Sequence, residues 1–170
     1  MNQLFYIAAG VAVISTLLAI TRLNAVHSLL YMVVSLLASA LIFFVLGAPY
    51  IAALQAIVYA GAIMVLFVFV IMMLNQGPQA SQTEKLWLSP RTWVGPSILA
   101  GILLAEMALV LRGDPNWLPG HRVVEPRDVS MALFGPYVMV VELASLLLLA
   151  GLIGAYHIGR REPDHDTGRK

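Results

Sequence analysis

The chain has 170 residues, of which 60% are hydrophobic and 11% charged, with a formal net charge of +1 and no cysteine. A soluble domain carries roughly a quarter charged residues, so this composition excludes an ordinary soluble globule and points to a membrane. Without cysteine there is no disulfide, thiolate zinc site, cysteine-held iron–sulfur cluster or cysteine nucleophile, and the sparse charge forms no basic stripe for nucleic acid.

Apolar blocks set the organisation. The first runs from Leu4 to Ile20 and closes at Thr21-Arg22. Its flank, Met1-Asn2-Gln3, lacks the basic residues of a secretory signal, so it reads as a retained helix. Leu29 to Leu46 follows and stops at Gly47-Ala48-Pro49, a breaker whose proline suits the first position of the next helix. Ile51 to Leu74 holds 24 uncharged residues. As an α-helix it would be about 36 Å long against a hydrocarbon core of about 30 Å, so tilt or a local change in pitch must absorb the excess. Asn75-Gln76-Gly77-Pro78 ends that block, and Trp93 to Leu111 and Leu133 to Ile158 complete five. All are too long for barrel strands, and in lipid the backbone must be satisfied internally. The expected fold is therefore an all-α membrane protein with five transmembrane helices. It forms a single integral membrane domain over 1–170, with spans near 4–20, 29–46, 51–74, 93–111 and 133–158 and a tail at 159–170.

An odd number of spans puts the termini on opposite sides. One side collects Arg22, Lys85, Arg91, Arg160, Arg161, Arg169 and Lys170, and the other only Arg112, Arg122 and Arg127. The positive-inside rule then predicts the N-terminus outside and the C-terminus cytoplasmic. Trp87 and Trp93 near one face and Trp117 near the other fit interfacial belts.

Motifs for soluble chemistry are missing. The histidines His27, His121, His157 and His165 form no i, i+4 pair, and there is no HExxH, GxGxxG, P-loop or GxSxG. The third block is more informative, since Ala52, Ala56 and Ala60 recur every four residues with Ala53, Gly61 and Val65 on a neighbouring stripe. Small stripes let helices approach closely, and packing alone accounts for such a pattern. Gly61 costs about 1 kcal/mol relative to alanine in mid-helix and sits beside Tyr59 among the β-branched Ile57, Val58 and Ile63. There a helix most readily takes one extra residue per turn, and π-bulges concentrate at functional sites. The expected hinge spans Tyr59 to Val65.

Two acids interrupt the last blocks. Glu106 and Glu142 each cost at least about 2.5 kcal/mol on insertion scales, so each should face protein or water. Both lie about 5 to 6 Å from the middle of their blocks toward the predicted outer face. Glu142 is the stronger candidate for a proton or water path, against a purely structural hydrogen bond. Glu106 is the weaker, because near a helix end it could snorkel outward or pair with a loop arginine.

The run Ile51-Ala52-Ala53-Leu54-Gln55-Ala56-Ile57-Val58-Tyr59-Ala60-Gly61-Ala62-Ile63-Met64-Val65-Leu66-Phe67-Val68-Phe69-Val70-Ile71-Met72-Met73-Leu74-Asn75 resembles the third helix of the J-type subunits of bacterial NADH:quinone oxidoreductase, respiratory complex I. Asn24 to Tyr31 and Leu133 to Leu149 resemble the same family. The resemblance implies a core membrane subunit of an NADH-quinone oxidoreductase, a translocase of the bacterial cytoplasmic (inner) membrane in which electron transport from NAD-linked substrates to ubiquinone or a related quinone drives proton translocation. It implies no catalytic redox centre, cofactor or metal on this chain, while the whole complex uses NADH, flavin, iron–sulfur clusters and quinone. Its partners would be the other membrane subunits, the lipid bilayer and, indirectly, quinone. The family associates an α-to-π change in the third helix with opening of a water path, which carries onto Tyr59, Gly61 and Val65. Some relatives place a glutamate where this chain has Gln55, which is therefore not expected to carry protons. Related helices also occur in multisubunit cation/proton antiporters and membrane-bound hydrogenases, the alternative without NADH chemistry.

Overall fold

In the computed structural model, residues 2–74, 90–112 and 123–160 are described. Among them there are helices and turns and no strands. Helix α1 is Asn2–Thr21, α2 is Ala25–Val45 and α3 is Pro49–Leu54. Helix α3 continues without a break into a π-helical segment, Gln55–Ile63, and then into α4, Met64–Leu74. Beyond residue 89 come α5, Pro90–Arg112, α6, Pro126–Leu133, and α7, Val138–Gly159. Five helical stretches are long and apolar enough to cross a membrane, and α3, the π segment and α4 together make the third.

Local chemistry explains the boundaries. Asn24 caps α2, its side-chain oxygen accepting from the Val26 N–H at 3.0 Å. At the other end Gly47 takes φ 85°, and the Gly47 and Ala48 N–H groups donate back to Phe44 and Phe43. This is a Schellman ending, in which only glycine adopts the left-handed turn without cost, and Pro49 then opens α3. The Gly47 carbonyl also accepts from the Val124 N–H at 2.9 Å, which ties the segment ahead of α6 to this turn.

The fifth span starts later than expected, at Val138 rather than Leu133. Leu133 instead ends the short helix α6, and residues 134–137 form a turn. Pro136 has no N–H to give a continuing helix, and at Gly135 a Cβ would stand 2.6 Å from the Met131 carbonyl oxygen, so the turn holds only with glycine there.

The chain divides into two compact units, Met1–Glu125 and Pro126–Lys170. In the first, α1 packs along α2, and both meet α5 in a core of Ala8, Val11, Val34, Ala38, Leu41, Val45, Leu103 and Val110. The spacing of these residues marks one face on each helix: Ala8, Val11, Ser15 and Ala19 on α1, and Leu103, Glu106 and Val110 on α5. The third span packs against α2. In the second unit α6 packs against α7, whose apolar side chains are exposed along its length.

Candidate functional site

The nine-residue π segment is longer than the single-turn bulges by which π geometry usually enters a helix. Its closing bond runs from the Met64 N–H to the Tyr59 carbonyl, five residues back, whereas the Gln55 N–H at its start still reaches Ile51 as in an α-helix. Tyr59 and Gly61 lie inside the segment. Val65 does not: it is the second residue of α4, so the observed π geometry begins four residues before the expected hinge and ends two residues short of Val65.

The surroundings of the segment are sparse. Gly61 meets little, since a Cβ there would lie 3.4 Å from the Ala56 carbonyl oxygen, ordinary van der Waals contact. Tyr59 is 51% exposed and its hydroxyl makes no hydrogen bond to another described residue, and Val65 is 64% exposed. Ala52, Ala53 and Ala56 line an apolar cleft of about 530 Å³ whose other walls include Ala40 and Phe44 of α2 and Ala100 and Leu104 of α5, and Ala52 is buried there. Small side chains thus leave a gap beside the start of the π segment.

The two acids occupy contrasting places. Glu106, the weaker path candidate, for which snorkelling or pairing with a loop arginine was the alternative, is only 4% exposed, on the core face of α5, and neither carboxyl oxygen has a hydrogen-bond partner among the described residues. Burial follows from register, because Glu106 stands three residues after Leu103 and four before Val110, both core residues. Glu142 is exposed, at the fifth position of α7. The later start of that helix puts it near the helix end rather than deep in the span. It belongs to the second unit, whereas Tyr59, Gly61, Val65 and Glu106 belong to the first.

Sequence reasoning missed two further buried residues, Ser15 and Tyr31. Ser15 is fully buried on the core face of α1, and its hydroxyl has no partner among the described residues. The i, i+3, i+7, i+11 spacing from Ala8 through Val11 to Ser15 and Ala19 was the available signal. Tyr31 is buried in α2, with the Arg22 guanidinium 5.5 Å from its ring centre and its hydroxyl lying where a side chain on Gly95 would have to be. Among the described residues no three of His, Asp and Glu come together as a metal site would require.

These features define a class, the all-α multi-span membrane proteins, distinguished here by a π-helical third span and a buried acid. The comparisons narrow it. The family model for NADH-ubiquinone/plastoquinone oxidoreductase chain 6 matches residues 15–158. The NADH-quinone oxidoreductase subunit J of Pseudomonas aeruginosa is 56% identical over 163 residues, covering 95% of this chain and 98% of that protein. The protein of the same name from Escherichia coli K12 is 49% identical, covering 95% of this chain and 88% of its own length. That of Buchnera aphidicola subsp. Baizongia pistaciae is 36% identical over 94% and 98%. The chain belongs to the NADH-ubiquinone/plastoquinone oxidoreductase chain 6 family, as the third helix and the Glu142 region had suggested.

Proposed function

We propose that this chain is a core membrane subunit of a proton-pumping NADH:quinone oxidoreductase, and that its third span is the switch coupling quinone reduction to proton translocation. The relatives' names support the first part, and none of those cited is named as an antiporter or hydrogenase subunit. The observation that carries the second is the π segment at Gln55–Ile63 inside an otherwise α-helical span. A π turn holds strained hydrogen bonds and an extra residue, so α and π forms differ by about a few kcal/mol, a gap that binding or release of quinone elsewhere in the complex can bias. Tyr59 offers water a hydroxyl on the same segment that has no partner among the described residues, and Val65 lies in the first turn of the α-helical arm that the change would move. Redox groups would reside on partner chains, since this one has no cysteine to hold an iron–sulfur cluster. Five spans would sit in the bacterial cytoplasmic membrane with the C-terminus inside.

A paired assay tests the switch. Substituting Gly61→Leu puts bulk on the π turn, and it should lower quinone-linked proton pumping about tenfold or more while NADH oxidation by an artificial acceptor, which bypasses the membrane arm, stays unchanged. If the variant assembles and both activities match the wild type, the π segment is a packing feature and the switch is lost.

A further inference from the structure

The core where α1, α2 and α5 meet is lined by apolar side chains, and among the described residues Glu106 and Ser15 are buried polar side chains on its α5 and α1 faces, with His27 and Tyr31 buried near the start of α2. The Glu106 and Ser15 side chains are more than nine-tenths buried, and neither has a hydrogen-bond partner among the described residues. No charged group in the described parts of the core answers the carboxyl. Helix α1 brings Ala8 and Val11 to this face and α2 brings Leu41 and Val45, while Arg112 on α5 itself is exposed and the titratable residues of α2, His27 and Tyr31, lie near its start. Tyr6 of α1 and Arg22 beyond its end are also exposed. Neither protonation state is satisfied by dry surroundings. The acid's O–H lacks an acceptor, and the carboxylate lacks donors altogether. Water serves both states, donating to one and accepting from the other, and a carboxyl with two free oxygens offers the polar partners that an internal water needs. A hydroxyl ladder leads along the same helix pair: Ser28 bonds the Ala19 carbonyl, Thr16 and Ser35 meet at 2.8 Å, and Ser39 follows one turn on.

We infer that Glu106 is a hydrated proton-exchange site inside the α1–α2–α5 core, a stop for protons in this chain separate from the π-helical span. The inference rests on the reading of the chain as part of a proton pump, but its first test needs no turnover. Membranes holding the assembled complex are treated with dicyclohexylcarbodiimide, an apolar reagent that adds to a protonated carboxyl: the acid's oxygen bonds to the carbodiimide carbon, its proton passes to nitrogen, and the adduct rearranges to a stable acylurea. Mass spectrometry of the α5 peptide should find the adduct on Glu106, and none in Glu106→Gln. The second test measures protons moved per NADH oxidised in Glu106→Gln, Glu106→Leu and Glu106→Asp. Gln and Leu should lower the ratio about twofold or more while Asp restores most of it. An unlabelled Glu106 in the assembled wild type overturns the site. A labelled Glu106 with a wild-type ratio in both Gln and Leu variants overturns its place in the proton route. Neither result bears on Gly61→Leu, so failure here and failure of the third-span switch are read separately.

Discussion

Gly95 and Tyr31 illustrate how one missing side chain can fix two helices. The Tyr31 hydroxyl occupies the position a Cβ of residue 95 would need, and the Arg22 guanidinium stands 5.5 Å from the ring centre. Gly95→Ala should therefore force Tyr31 or α5 to move, costing about 1–3 kcal/mol, read as a lower temperature of thermal disassembly and a lower yield of assembled complex. Adding Tyr31→Phe removes the colliding oxygen and should recover part of that loss. Glu142 calls for a different expectation, because it is exposed near the start of α7. If it relays protons, Glu142→Gln lowers pumping while assembly stays normal; pumping and quinone reduction both at wild-type level leave it a structural residue. The acids could be found in the sequence because charge in a span is conspicuous. Which acid is buried could not, because burial depends on which face of α5 meets α1 and α2.

At the scale of the element, the third span was the most legible part of the chain. Its 24 uncharged residues were too many for the bilayer as a straight α-helix, and the structure accommodates them partly in π geometry, which packs more residues into each turn. Glycine was the guide to the place, and the guide was four residues off, since the π geometry starts at Gln55 and stops short of Val65. The reason is that Gly61 has room: with only the Ala56 carbonyl nearby at 3.4 Å, the glycine permits the turn without setting its ends. Gly61→Ala should therefore assemble like the wild type, with thermal stability within about 1 kcal/mol, whereas Gly61→Leu should not be silent in pumping. Equal behaviour of the two would mean that bulk at this turn is irrelevant. The fifth span was misjudged at its start for a local reason, Gly135-Pro136, a pair that ends one helix and delays the next.

For the whole molecule, the helical class and the number of spans followed from length and hydropathy alone, while the pairing of helices did not, because apolar faces in a membrane protein carry little information about their partners. Much of the apolar surface of the third span and of α7 is exposed in the isolated chain. Lipid can cover that surface but not complete the polar groups, so the chain expressed alone should be short-lived in membranes and aggregate in detergent; a monodisperse, heat-resistant monomer would contradict this. Sidedness has a clean assay, because a chain without cysteine accepts single introduced ones. A cysteine replacing Gln3 should react with an impermeant maleimide from outside intact cells, and one replacing Arg169 only after the membrane is opened. The π segment, finally, can be restated in terms of chain length. An i→i+5 turn is an α turn with one residue inserted, and the span is anchored to the core on either side of it by the buried Ala52 and Met64. Deleting one residue between them, such as Ala60, should be absorbed by conversion toward α-helix rather than by unfolding. The same deletion in α1 or α2 would rotate the core face on one side of the cut and abolish assembly. The third span should thus be the place in this membrane bundle where a codon can be lost and the protein still be built, with the deleted chain held in α-helix where the full one has a π turn.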